Sequence, residues 1–218
     1  MATKIIPSGA QEKVERSSSR AILLNSAGAL MAERGTIEIS LSDIAKHSGL
    51  NSALVKYYFG TKQRMMLALL EDVLGRGLEQ LEGLIAMDLD PVEKLKLHIK
   101  GIINVYFRYP FINRLIHYLF EGEESGREVA EKISKPLAET QRKMIEEGIS
   151  KGLFKPIDPM LFYFIVLGAC DHLFFGRHML RVAFNIDAIS EDLRRNYTNT
   201  LLDMILHGML SGNEVSKS

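Results

Sequence analysis

The chain has 218 residues, a mean hydropathy near zero, and 27 basic residues balanced by 27 acidic ones. That length suits one moderate domain or a small one plus a larger one, and the zero net charge argues against a protein that coats nucleic acid along its whole surface. The charge is unevenly placed, because residues 1–64 carry nine Lys or Arg against five Asp or Glu, so attraction to phosphate is local to that end. The one cysteine, Cys170, excludes an intrachain disulfide and fits a reducing cytoplasm. It lies in an apolar run and reads as a small packed hydrophobe.

Residues 1–15 are polar, lack the apolar core of a signal peptide, and read as a disordered tail. Lys4, Lys13, Arg16 and Arg20 make this end either an arm that reaches phosphate or minor groove, or a solvated tail. Residues 21–33 have a helical pattern, with Ile22, Leu23, Ala27, Leu30 and Met31 at intervals of three and four. Gly35 stops it. The stretch TIEIS alternates like a strand but has no partner strand nearby, so it is expected to be a connector whose Ile37 and Ile39 pack on helices.

The most informative stretch is SLSDIAKHSGLNSALVKYYFGTK, residues 40–62. Ser40 or Ser42 can cap a first short helix, and Asp43 suits the positive end of its dipole. Ile44 gives that helix an apolar contact, and Ala45 lets a neighbour come close. Gly49 sits where the chain must turn through φ > 0. Asn51 or Ser52 can cap a second helix whose buried side is Val55 and Phe59, four residues apart. Ser52, Ala53, Lys56 and Tyr57 are left on the opposite face. Short, polar and basic residues on the outer face of a second helix are what a helix entering a DNA major groove presents. Lys56 can donate to guanine O6 and N7, Ser52 and Tyr57 can reach base edges or phosphates, and Ala53 and Leu54 can touch a thymine methyl. Ser42, Asn51, Tyr58 and Lys62 are better placed for phosphates. Lys62 opens a long helix towards residue 86, with Met65, Leu69, Val73 and Leu81 on its buried side.

Residues 16–70 resemble the DNA-binding domain of TetR-family transcriptional regulators. The likeness rests on a first helix ending in AERG, then LSDIAKHSGL, then NSALVKYYFGTKQRMMLALLE. The aromatic pair Tyr58 and Phe59, the turn at Gly60 and the lysine at Lys62 follow the family's pattern. Lys56 departs from it, where a tyrosine is frequent, as do Ala53 and Leu54, where glycine and threonine are frequent. The resemblance implies an all-α fold: an N-terminal three-helix helix-turn-helix domain, then a larger helical domain for effector binding and dimerisation. It also implies no catalytic, metal or cofactor role.

Beyond residue 87 the residues speak for themselves. Residues 92–108 are helical, with Leu95, Ile99, Ile102 and Tyr106 on one face. Residues 111–120 form a short apolar helix, and EGEESGRE reads as a solvated loop. Residues 129–151 form a helix that Pro136 bends or splits. Residues 160–183 read as one strongly apolar helix, interrupted by Asp171, His172, Arg177 and His178 short of the ~20 apolar residues a membrane span needs. Residues 191–210 are amphipathic, and SGNEVSKS frays. The total is about nine helices and no sheet. The division expected is residues 1–15, 16–64 and 65–212.

Residues 160–175 are apolar nearly all round, with Gly168 and Ala169 permitting close approach, so the last two long helices suit a homodimer that would bind a palindromic operator. The larger domain is rich in aromatic residues, with histidines on the same apolar helices. That composition suits a pocket for a partly apolar small molecule, with Ile102, Tyr106, His117, Phe120, Phe164 and His172 as candidate ligand contacts. Asp171–His172 lacks the neighbours that a triad or metal site needs. The function expected is a ligand-responsive, sequence-specific repressor in the cytoplasm. The alternative is a small-molecule binding protein whose helix-turn-helix has lost its DNA contact.

Overall fold

In the computed structural model, residues 9–211 are described, with side chains from residue 19 onward. They form eleven α-helices and one π-helical turn. Among the described residues, the one β-type pairing is an isolated antiparallel bridge between Phe154 and Leu210. The chain divides into two compact units, Met1–Leu69 and Leu70–Ser218.

The first unit contains α1 (Gly9–Arg34), α2 (Leu41–Ser48), α3 (Ser52–Phe59) and the start of α4 (Lys62–Ala86). Helix α1 begins earlier than the apolar periodicity suggests, since good helix formers such as Ala10, Gln11, Glu12 and Lys13 carry it outward into part of the polar segment. Residues 1–8 lie outside the described residues. The periodic positions of α1 bury Leu23, Leu24, Ala27, Leu30 and Met31 against Ile39, Ile44, Val55 and Phe59. Ile39 packs from a connector, and Gly35 takes φ +63° at the end of α1. Arg20 stacks over the Phe59 ring, 5.4 Å from its centroid.

The second unit is organised on α5 (Pro91–Arg108), which packs against α8 (Lys135–Ser150), α9 (Pro159–Phe175) and α11 (Glu191–Met209). Asp90 caps α5 by accepting from the Val92 amide at 2.8 Å, and Pro91 occupies the first turn, where its missing N–H costs nothing. Leu95, Ile99, Ile103 and Tyr106 form its buried face. Helix α9 answers with Phe162, Val166, Cys170 and Phe174 at four-residue intervals. Fully burying each such side chain contributes roughly 1.5–3 kcal/mol. Burial pushes the Cys170 thiol up to about 12, so it behaves as an apolar group. Phe154, in the turn after α8, lays its ring where a Cβ on Gly148 would stand.

Three local features depart from the sequence reading. EGEESGRE is helical: α6 (Ile112–Glu121) ends at Gly122, and α7 (Glu123–Val129) begins at once. Glu123 and Glu124 lie in the first turn of α7, where carboxylates suit the dipole, and Ser125 tucks its hydroxyl onto the Leu119 carbonyl at 2.6 Å. A π-helical turn, Ala130–Ser134, joins α7 to α8, because Pro136 lacks an N–H and the helix widens ahead of it. The long apolar helix is two helices. Gly176 ends α9, and α10 (Arg177–Phe184) leaves at 64°. Among the described residues no single helix is long and apolar enough to cross a membrane.

Candidate nucleic-acid interface and ligand cavity

The helix-turn-helix is built by caps. Ser40 and Asp43 form a reciprocal capping box at α2: Ser40 Oγ accepts from the Asp43 amide at 3.0 Å, and the Ser40 amide donates to the Asp43 carboxylate at 3.0 Å. Arg34 also donates to Asp43 at 3.1 Å. The Arg34 and Ser40 hydrogen bonds hold that carboxyl well below the usual carboxylate range. Gly49 closes α2 with φ +69°, a left-handed conformation that disfavours a side chain. Asn51 caps α3, its Oδ1 accepting from the Ala53 amide at 2.8 Å.

Val55 and Phe59 are buried, while Asn51, Ser52, Ala53, Lys56 and Tyr57 are exposed. Leu54 and Tyr58 are half-buried, and the Tyr57 and Tyr58 rings meet edge to face at 5.1 Å. Ser42 is exposed on the first turn of α2, and Lys62 is half-exposed at the start of α4. Thr61 caps α4 by accepting from the Arg64 amide at 3.1 Å.

The second unit encloses a cavity of about 270 Å³. Helix α4 supplies one wall, including Leu74, Leu78, Leu81 and Leu84. Helix α5 supplies His98, Ile102, Val105 and Tyr106, and α6 supplies Ile116 and Phe120. Val129, Ile133 and Ser134 come from the α7 end and the π-turn, and Tyr163 and Leu167 from α9. Leu97 and Phe120, 45% and 46% exposed, stand at the open side. Of the ligand contacts expected from sequence, Ile102, Tyr106 and Phe120 line this space. His117, Phe164 and His172 lie outside its lining. His117 is exposed, with its Nε2 3.2 Å from an Asp171 carboxylate oxygen, and Phe164 points to solvent on α9. The α4 leucines and His98 were not among the sequence candidates. Their apolar spacing is the same for a cavity wall as for a solid core.

Tyr106 is one buried polar side chain of the cavity lining, and His98 is another. Its Nε2 lies 2.7 Å from the Gln141 side-chain amide on α8, and both residues are closed to solvent. A second apolar surface lies on α9, where Met160, Leu161, Phe164 and Ile165 are each more than half exposed in one stripe.

Residues 23–69 match the model of the bacterial regulatory proteins of the tetR family, and residues 88–214 match that of the tetracyclin repressor-like C-terminal domain. The chain belongs to the TetR family. It is 27% identical over 182 residues to the HTH-type transcriptional repressor NicS of Pseudomonas putida, a match spanning 80% of this chain and 82% of that protein. Its fold matches a TetR/AcrR-family transcriptional regulator of Thermobifida fusca with a TM-score of 0.69 at 21% identity, covering 88% of this chain and 98% of that one. It also matches the regulator FadR of Bacillus subtilis in complex with stearoyl-CoA, with a TM-score of 0.68 at 21% identity, covering 86% and 98%. This TetR-family chain is thus a DNA-binding transcriptional regulator.

Burial holds the His98 imidazole of this TetR-family chain at about 4, against a usual 6.5. As pH falls, the unfolded chain takes up that proton near 6.5 and the folded chain only near 4. The stabilising contribution of neutral His98 is therefore complete above pH 6.5 and is lost between 6.5 and 4. Between pH 7 and 4.5 it should remove about 2–3 kcal/mol of unfolding free energy. Urea titrations of the wild type and His98→Phe measure this, the variant showing the flatter profile across that window.

Proposed function

We propose that the chain is a repressor that binds a palindromic operator as a homodimer and releases it when a small molecule enters the second-unit cavity. The observation that carries this reading is the pairing of an exposed Ser52, Ala53, Lys56 and Tyr57 face with a cavity whose wall is the same α4 that begins beside that face in sequence. The sign of regulation follows the name of the NicS relative, a repressor. Ser52, Ala53, Leu54, Lys56 and Tyr57 are assigned to base edges. Ser42, Asn51, Tyr58 and Lys62 are assigned to phosphates on either side.

Dimerisation is assigned to α9 and α11, because the exposed stripe of Met160, Leu161, Phe164 and Ile165 continues the apolar character of α9, and Met204 on α11 is 71% exposed. Two modules joined by this surface would read two half-sites. The action would take place in the cytoplasm, and no enzymatic step is assigned.

Release is assigned to α4. An occupant presses on Leu74, Leu78, Leu81 and Leu84, and displaces the helix on which the DNA-reading unit continues. Effector and operator affinities are then reciprocally coupled. The test is a footprint on DNA flanking the gene at two salt concentrations. A salt-sensitive two-fold symmetric protection supports the reading, and an effector that binds the protein without changing DNA affinity overturns the release step. Within the operator reading, Lys56→Ala should weaken specific binding by about 1–3 kcal/mol, roughly a fivefold to 150-fold loss, while circular dichroism is unchanged. Fluorescence anisotropy against operator and scrambled DNA checks it, since a phosphate-only role would weaken both equally.

A further inference from the structure

We infer that the cavity takes an uncharged, largely apolar molecule, or the uncharged end of one, with a polar group hydrogen-bonded to His98. This rests on the reading of the cavity as the effector site. Among the described residues, no Asp, Glu, Lys or Arg lines the space. A carboxylate or ammonium entering it would shed its water with no counter-charge to meet it, at a cost of several kcal/mol. His98 cannot act as that counter-charge near neutral pH, because burial keeps it neutral.

Besides His98, the lining carries the Tyr106, Tyr163 and Ser134 hydroxyls and the Gln80 amide, and among the described residues His98 is the lining side chain tied to a second buried polar side chain. The one hydrogen bond of His98 among the described residues goes to Gln141, through Nε2. The imidazole has a second ring nitrogen, Nδ1, for which the structure records no partner among the described residues, and we assign it to the ligand. Gln141 is fully buried on α8, and its other amide atom, Oε1, has no hydrogen-bond partner. As placed, the Gln141 amide donates to Nε2, so His98 carries its proton on Nδ1 and presents a donor. With the amide turned over, Gln141 accepts from Nε2–H and Nδ1 presents an acceptor. A hydroxyl on the ligand satisfies either state, because it both donates and accepts. An alkane or arene satisfies neither and leaves a buried polar atom unpaired.

Size narrows the class further. A dry cavity of about 150 Å³ holds benzene, so about 270 Å³ holds an enclosed group of roughly ten to twelve non-hydrogen atoms. The lining is flexible aliphatic chain on α4 facing Tyr106 and Tyr163, which suits a flat or short-chain apolar body.

Isothermal titration calorimetry of the full chain at pH 7.5, without DNA, tests this with 2-naphthol, naphthalene and 2-naphthoate. The expected order is 2-naphthol tightest, naphthalene at least tenfold weaker, and 2-naphthoate weakest or silent. His98→Phe should abolish the advantage of 2-naphthol over naphthalene while leaving naphthalene binding in place. Because that variant strands Gln141, the double variant His98→Phe with Gln141→Leu repeats the comparison without an unpaired amide. Equal or tighter binding of 2-naphthoate, retention of the 2-naphthol advantage in the double variant, or no binding by any of the three overturns the inference. A compound that released the operator with its charged group seated in the cavity would overturn it while leaving the repressor reading intact. Loss of operator binding altogether would overturn that reading and leave the calorimetric order unaffected.

Discussion

Under the proposed dimerisation through α9, Phe164→Asp, or Ile165→Asp, should leave each chain folded, give monomers in place of dimers, and reduce operator affinity by at least a hundredfold. Phe164 and Ile165 are 67% and 58% exposed, so neither substitution removes a core side chain. The buried side of α9 is carried by Phe162, Val166, Cys170 and Phe174, which the variants do not touch. At a dimer interface the new carboxylate would be desolvated beside its own symmetry mate, and like charges brought together there cost several kcal/mol. Loss of the dimer leaves a single DNA-reading module, which covers roughly 600–1,000 Å² and lacks the second half-site. Sedimentation velocity gives the mass, and an electrophoretic shift on the footprinted operator gives the affinity. A variant that stays dimeric would move the interface off this stripe. The next exposed apolar face is that of α10, where Met179, Val182 and Phe184 are all more than half exposed.

The helix-turn-helix was legible because its residues speak locally. Ser40, Gly49, Asn51 and Gly60 each occupy a cap or a left-handed turn, and the four-residue spacing of Val55 and Phe59 selects the exposed face without help from the rest of the chain. Helix α7 was not legible, since a run of Glu and Gly looks like a loop until the Ser125 hydroxyl is seen turned onto Leu119. The break at Gly176 was hidden by apolar residues on both sides of it, where hydrophobicity alone does not separate one long helix from two. The cavity was partly legible. Tyr106 and Phe120 follow from aromatic content, but three histidines on apolar helices look alike in sequence. Only burial beside Gln141, forty-three residues away, separates His98 from the exposed His117 and His172.

Lys94→Met should lower the unfolding free energy by about 1–3 kcal/mol and blunt the effector response at least fivefold, with operator affinity in the absence of effector nearly unchanged. Lys94 is buried on α5, and its ammonium donates to the Ile85 carbonyl at 2.9 Å and to Glu147 at 3.0 Å. The first bond holds the last turn of α4, where a cation also suits the dipole. The cost is set below that of a fully buried ion pair because Glu147 is partly exposed and keeps Lys151 at 2.7 Å. A second tie holds α4 nearer its start, where Lys132 of the π-turn reaches Glu71 at 2.7 Å. Between the two ties lie the leucines of the cavity wall, so the proposed release would pivot α4 against them. Removing the buried tie frees the helix end, and pressure on the wall is then dissipated there. Glu71→Gln makes the contrast. That pair is exposed and should change stability by less than about 1 kcal/mol, yet it should also weaken the response. Urea unfolding and operator titrations with and without a DNA-releasing effector give both quantities for both variants. If the response tracked stability, falling for Lys94→Met and holding for Glu71→Gln, α4 would not be the lever. If it fell in both while stability fell in one, the two ties would be acting as fulcra.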